Sequence, residues 1–107
     1  MYLESRQQIP LLTRETYDFL ICFDENIITK EEGLTMFTYE AIRVPVSYDY
    51  SLLVSTIIKE KYPDDKMQAI INNHLLEDSD PEHEAEYKEM QEWRRHAKEV
   101  AKNIIDK

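Results

Sequence analysis

The last quarter of the sequence, residues 81–105, carries a long amphipathic pattern that constrains the fold more than any other feature. One set of positions recurs there at spacings of three and four residues: Glu86, Met90, Trp93, Ala97, Val100 and Ile104, with Tyr87, Ala101 and Ile105 beside them. An α-helix with about 3.6 residues per turn places such positions on one stripe. Because a single helix cannot bury this stripe by itself, we expect the preceding part of the chain to supply the surface that covers it.

The start of this helix is marked by Asp80 and Pro81. An aspartate just before a helix accepts a hydrogen bond from an unpaired backbone N–H, and a proline at the first helical position has no N–H to satisfy. Acidic residues fill the first half of the segment and basic residues dominate the second half, an order that complements the helix dipole. The pattern therefore predicts a helix over residues 81–105.

Two shorter helices are predicted before it. Ser47 or Asp49 can cap a helix over about 50–62, and Pro63 followed by two acids is typical of the start of another, over about 63–76. Their expected apolar positions are Leu53, Val54, Ile57 and Ile58 in the first, and Met67, Ile70, Ile71 and Leu75 in the second. Residues 77–79 form a polar link to the long helix.

The first half of the chain favours β-structure. The run 17–23 is aromatic and β-prone, residues 27–29 can continue it beyond a bulge or turn, and residues 34–46 form a long strand. The only glycine, Gly33, lies between these runs and can adopt a positive φ. We therefore expect a β-hairpin with its turn near residues 30–33.

Both faces of this hairpin carry large side chains, among them Phe37 and Tyr39. An isolated hairpin is at best marginally stable in water, so one face needs a further strand, the N-terminal segment, or another subunit. Residues 1–16 can form an extended arm or an extra strand, and Pro10 argues against a helix through them.

The predicted fold class is α+β, with an N-terminal antiparallel β-hairpin or small sheet packed on three C-terminal helices, the last one long. A chain of 107 residues is expected to form a single domain. Within it we assign residues 1–16 to an arm or extra strand, 17–46 to the β-hairpin and 50–105 to a helical layer.

Composition narrows the possible partners and the compartment. The formal charge at pH 7 is −9, which argues against nucleic acid and anionic membranes as partners because both are bound through Lys and Arg. No apolar run approaches the roughly 20 residues of a transmembrane helix, and residues 1–12 lack the layout of a signal peptide. Cys22 is the only cysteine, which excludes an internal disulfide and fits a reducing compartment. We expect a cytoplasmic protein.

The sequence does not match the common patterns of zinc sites, calcium-binding loops or phosphate-binding loops. His74, His83 and His96 are not expected to converge on a zinc ion. The acidic stretch 78–89 has the length of a calcium-binding loop, but His83 occupies the position at which such a loop requires glycine, so a capped helix start is favoured. A single glycine excludes a Gly-rich phosphate loop. We therefore predict no catalytic, cofactor-binding or metal-binding residues.

Two residues in the predicted strands could be buried. Glu40 lies on the more apolar face of the long strand, where it should pair with an arginine or lie at an edge. Cys22 lies between Ile21 and Phe23 and is expected to be a small core residue, not an activated thiol.

The candidate partner-binding residues are Trp93, Arg94 and Arg95 on the long helix, together with Phe37 and Tyr39 on the hairpin. Tryptophan and arginine dominate the energetics of many interfaces. For Trp93 the competing interpretation is core packing, since it belongs to the apolar stripe. For the two arginines it is charge balance on a solvated face.

Residues 46–105 resemble a group of small uncharacterised bacterial proteins, which are similar to products found among phage-type structural genes. The residues that carry the resemblance are Tyr62, Ala69-Ile70-Ile71-Asn72, Glu86-Tyr87, Gln91, Trp93-Arg94, Ala97-Lys98 and Ala101. The resemblance implies no activity and no catalytic residues; it favours an assembly or accessory role.

Three functions are compared. The first is a non-enzymatic structural, assembly or accessory protein of phage or prophage type that acts through a protein partner or self-association. The second is an acidic regulatory binding module, including a mimic of DNA, which should array its acids on one face at phosphate-like spacing. The third is an enzyme with an unrecognised site, which should have a pocket of several hundred Å³ with converging polar groups.

Overall fold

The computed structural model describes residues 1–77 and 79–106 and has an α+β fold, which confirms the predicted class. Its strands are β1 (Tyr2–Ser5), β2 (Leu12–Arg14), β3 (Asp18–Thr29) and β4 (Thr35–Pro45), and its helices are α1 (Tyr50–Lys61), α2 (Asp64–Leu75) and α3 (Pro81–Ile105). The chain forms two compact units that meet in sequence between Asp49 and Tyr50. The single domain over residues 1–107 stays a prediction.

The first unit is a four-stranded antiparallel sheet with the order β1-β4-β3-β2. Its centre is the predicted hairpin of β3 and β4. The register shifts between Phe23 and Asn26, where Asp24 has a φ of 53°, so the predicted continuation of the strand beyond a bulge is confirmed. The hairpin turn is a short 3-10 segment at Glu31–Gly33, in which Gly33 adopts a φ of 76°.

Residues 1–16 supply two short strands. Leu3 in β1 lies opposite Tyr39 in β4, and Leu12 in β2 lies opposite Ile21 in β3. Of the two alternatives left by the sequence, arm or extra strand, the structure therefore has strands at both edges of the hairpin. The connecting segment between them places Ile9 against the hairpin face that carries Tyr39.

Both faces of the hairpin contain buried apolar residues, as the alternation of a pleated strand requires. On one face Cys22, Tyr39 and Ala41 form a cluster, against which four partly buried side chains pack: Leu3, Ile9, Leu20 and Phe37. On the other face the buried apolar residues are Ile21, Phe23, Ile42 and Val44. The N-terminal segment of the chain thus covers the hairpin face that carries Tyr39.

The second unit consists of the three helices, with α1 and α2 both in contact with α3. Helix α3 begins where the sequence predicts, and Asp80 Oδ1 accepts a hydrogen bond from the backbone N–H of Glu82 at 2.9 Å. The predicted stripe is buried at six positions: Met90, Trp93, Ala97, Val100, Ala101 and Ile104. Glu86 and Ile105, also predicted for the stripe, are exposed near the two ends of the helix.

The shorter helices also match their predicted ranges closely. Leu53 and Ile57 of α1 and Ile70 of α2 are fully covered. One expectation is wrong: Leu75, assigned to the apolar stripe of α2, is 70% exposed, because α2 ends at this residue and the chain turns away. No helix in the described ranges 1–77 and 79–106 has both the length and the apolar content needed to cross a bilayer.

Candidate functional site

Trp93 joins α3 to α1 within the helical unit. Its side chain is 8% exposed, and its indole N–H donates a hydrogen bond to the backbone carbonyl of Ile57 at 3.0 Å. The Nζ atom of Lys61 lies 3.9 Å from the centroid of the indole ring, a cation–π geometry. The residue thus has the core position predicted by the apolar stripe, and its polar atom is satisfied inside the unit.

Arg95 is held on the surface of its own helix. Its guanidinium donates hydrogen bonds to Glu92 at 2.8 Å, one turn before it, and to Glu99, one turn after it. The hydrogen bond to Glu92, the charges of both acids and the bond to Glu99 raise the pKa of Arg95 further above its ordinary value. Its charge is therefore already balanced by two carboxylates.

Arg94 has a different environment, although it is the adjacent residue. Its side chain is half-buried, and within the described part of the chain no hydrogen bond or ion pair joins it to another residue. Consecutive residues of an α-helix differ in direction by about 100°. Because of this rotation, Arg94 lies on a different side of α3 from the face where Glu92, Arg95 and Glu99 meet.

Arg94 lines an open groove of about 400 Å³ formed by all three helices, which we call the Arg94 groove. Its floor is apolar and consists of Val54 and Ile58 from α1 and Met67 from α2, all half-buried. The other lining residues are polar or aromatic: Tyr50, Ser51, Ser55, Lys59 and Asp64. The groove therefore combines an apolar floor with hydroxyl groups and charged side chains at its rim.

The charges at the rim favour an anionic ligand. Lys59 Nζ lies 3.9 Å from Asp64 Oδ2, and both side chains are largely exposed. The positive charge of Lys59 and the negative charge of Asp64 therefore balance each other. Arg94 is then left as the unbalanced charge. A guanidinium has five N–H donors and binds a carboxylate through two parallel hydrogen bonds. Chemically, the Arg94 groove suits a segment that carries apolar side chains next to a carboxylate.

A second cleft, of about 520 Å³, lies on the other side of α3 and includes Lys61, Tyr62 and Arg95 in its lining. Two of its cations are engaged, since Lys61 lies over Trp93 and Arg95 binds Glu92. A third, Lys88, lines the cleft next to the opposite charge of Glu89. Burial, followed by the charges of nearby glutamates, raises the pKa of Tyr62. This cleft offers less unbalanced charge to a ligand than the Arg94 groove.

The two hairpin candidates lie on the face covered by residues 1–16. Tyr39 is 2% exposed; its Oη accepts a hydrogen bond from the Ile9 N–H at 2.9 Å, and its O–H donates to Glu25 Oε1 at 2.7 Å. Burial and the hydrogen bond to Glu25 raise the pKa of Tyr39. Phe37 is half-buried at the edge of the same cluster. Phe37 and Tyr39 belong to the sheet unit, whereas the three candidates on α3 belong to the helical unit.

Each histidine lies next to an acidic residue. His74 Nδ1 is 2.8 Å from Glu84 Oε1, and its ring stacks on Tyr87 with the centroids 3.7 Å apart. His83 lies 3.7 Å from Asp80 and His96 lies 4.0 Å from Glu99. In the described residues, no three His, Cys, Asp or Glu side chains are grouped so that they could hold a metal ion.

The other residues considered in the sequence are the stretch 78–89, Cys22 and Glu40. Of the stretch 78–89, Asp78 lies outside the described residues, and the part from Pro81 onward is the first turns of α3. Cys22 is 3% exposed, and burial raises the pKa of its thiol, which confirms the prediction of a small core residue. Glu40 is half-buried in β4, opposite Tyr2 and Phe23.

Sequence reasoning found Arg94 but missed the groove that it lines. A signal was present in α1, where Leu53, Val54, Ile57 and Ile58 make an apolar band wider than one neighbouring helix covers. Leu53 and Ile57 are buried, while Val54 and Ile58 remain half-buried as the floor of the groove. Comparisons of the chain with protein-family models, with curated proteins and with solved structures found no match.

Proposed function

We propose that this chain is a non-enzymatic assembly or accessory protein that acts through protein–protein contacts, and that the Arg94 groove receives a segment of its partner. One observation carries the proposal: Arg94, a half-buried residue without a charged partner among the residues described, lines a groove with an apolar floor. A buried charge is costly unless a partner balances it, and a segment that docks on the groove would bury Arg94 further. A carboxylate from another polypeptide chain would supply that balance.

The open shape of the groove supports a polypeptide occupant. Small-molecule sites usually enclose most of the ligand surface, whereas this groove leaves one side of any occupant in water. An extended or helical segment can place apolar side chains on Val54, Ile58 and Met67 and keep its other side solvated. The resemblance to phage-type structural products covers residues 46–105, a range that includes every residue lining the groove.

The acidic-module alternative has less support. A mimic of DNA needs unpaired acids arrayed along one face. On α3 two exposed acids, Glu92 and Glu99, are bonded to Arg95, so positive and negative charges alternate there. The assembly role is therefore the better-supported proposal.

The proposal is tested by affinity purification with three forms of the full chain: the parent, Arg94→Glu and Lys98→Glu. Lys98 is the matched control, because it is exposed one turn further along α3 and lines neither the Arg94 groove nor the second cleft. We expect the parent and Lys98→Glu to retain the same protein, and Arg94→Glu to lose it.

Two further measurements sharpen the test. Far-ultraviolet circular dichroism of the three forms should be the same, since no hydrogen bond or ion pair joins Arg94 to the rest of the described chain. The milder Arg94→Gln should weaken retention less than the charge reversal does. Equal retention by all four forms would refute a role for the groove in partner binding.

A further inference from the structure

The turn between α2 and α3 presents an unusual exposed feature. Leu75 and Leu76 are 70% and 71% exposed, and the next residue is Glu77. We call Leu75, Leu76 and Glu77 the leucine turn. Two adjacent exposed leucines followed directly by a carboxylate complement the apolar floor and the positive charge of the Arg94 groove.

The leucine turn is held in a defined conformation. The Leu76 N–H donates to the Asn72 carbonyl at 3.1 Å, and the Glu77 N–H donates to the His74 carbonyl at 3.2 Å. Glu77 has a φ of 50°, the left-handed conformation that ends many helices. Below the turn, His74 is fixed by Glu84 and by stacking on Tyr87. A preformed turn loses little conformational entropy when it docks.

The leucine turn and the Arg94 groove lie far apart in one helical unit. The turn precedes the start of α3 at Pro81, and Arg94 lies further along the same helix, a rise of about 20 Å at 1.5 Å per residue. This rise along α3 separates them, so the turn cannot reach the groove of its own unit. It can reach the groove of a second copy.

We propose that the leucine turn of one copy docks in the Arg94 groove of another, with the leucines on Val54, Ile58 and Met67 and the Glu77 carboxylate on the Arg94 guanidinium. The inference rests on the proposed function and names the partner as a second copy of the chain. The two contacting surfaces differ, so the contact is head-to-tail and can propagate into a ring or a filament.

The net charge of the chain limits the strength of this self-association. Each copy carries a net charge of −9, so copies repel one another overall. The docking pair opposes this repulsion locally, because Glu77 of one copy meets Arg94 of the next. We expect a weak, concentration-dependent association, measurable at protein concentrations up to about 1 mM.

The test is sedimentation velocity on the full chain and three variants, one of them a control, over a concentration series. Leu75→Ser/Leu76→Ser removes the docking turn and keeps the groove, whereas Arg94→Glu removes the groove charge and keeps the turn. Ile27→Ser is the matched control, since Ile27 is an aliphatic residue of similar exposure (64%) in the sheet unit. We expect the parent and Ile27→Ser to associate, and each of the other two variants alone to associate at least about tenfold more weakly.

Mixing the two defective variants gives the decisive result. The serine variant retains a groove and Arg94→Glu retains a leucine turn, so an equimolar mixture should form a dimer that cannot grow further. Unchanged association in either variant, or a mixture that stays monomeric, would overturn the proposal. A parent that is monomeric at all concentrations would overturn it too, while a foreign protein retained in an Arg94-dependent way would leave the proposed function standing.

Discussion

Replacing Trp93 by phenylalanine is expected to lower the free energy of unfolding by about 3 kcal/mol, from three contributions of similar size. The buried hydrogen bond from the indole N–H to the Ile57 carbonyl, 3.0 Å long, contributes about 1 kcal/mol. The smaller ring leaves a void of roughly 40 Å³, which costs about 1 kcal/mol at about 24 cal/mol per Å³. The apolar surface that is no longer buried accounts for about another 1 kcal/mol.

Urea denaturation followed by far-ultraviolet circular dichroism measures this change, because the variant lacks the tryptophan needed for fluorescence. Tyr17→Phe is the control: Tyr17 is 85% exposed, and its replacement should change stability by less than about 0.5 kcal/mol. Adding Lys61→Met to both backgrounds isolates the cation–π contact, expected to be worth about 0.5–1 kcal/mol with the indole and less with a phenyl ring.

The Trp93 experiment also bears on the groove. The Trp93–Ile57 bond fixes α3 on α1 next to the position from which Arg94 projects, so its loss should weaken partner retention as well as stability. If the Trp93→Phe variant lost less than about 1 kcal/mol, the hydrogen bond and the packing inferred from the structure would not be significant, and the reasoning would be refuted.

Three further outcomes are expected. Asp80→Ala removes the cap of α3 and should cost about 1 kcal/mol in urea denaturation, whereas Glu82→Gln, which keeps the backbone donor, should cost less. Tyr39→Phe should accelerate amide hydrogen exchange at Ile9 while distant helical amides stay protected. Burial raises the pKa of Tyr39, so the contribution of its neutral form to stability is present below about pH 10 and is lost as the pH rises through the raised pKa. Urea denaturation at a series of alkaline pH values would show this loss. Cys22 should react slowly with a thiol reagent in the native protein and rapidly in urea, and fast reaction in the native state would contradict its burial.

Local chemistry determined a large part of this structure. Asp80 followed by Pro81 and a stripe of constant period set the range of α3, because capping and periodicity act within a few residues along the chain. Gly33 positioned the hairpin turn for the same reason, since its φ of 76° is costly for other residues. Such features can be read without knowing what packs against them.

Long-range packing decided the rest. Strands β1 and β2 have four and three residues, too few to show a period, so their existence depends on the hairpin edges with which they pair. The burial of Tyr39 follows from that pairing and from the Ile9 N–H that its Oη accepts. The sequence could not show that this aromatic face has its cover within the chain.

The candidate site, like the fold, depends partly on local sequence and partly on long-range packing. The sequence by itself determined that Trp93 belongs to the core stripe and that two arginines follow it, because both facts depend on residue type and helical period. Only the tertiary structure decided that Arg95 meets Glu92 and Glu99 while Arg94 lies over an apolar groove. The physical reason is that a helix turns by about 100° per residue, so neighbours in sequence face different surroundings, and those surroundings are supplied by α1 and α2.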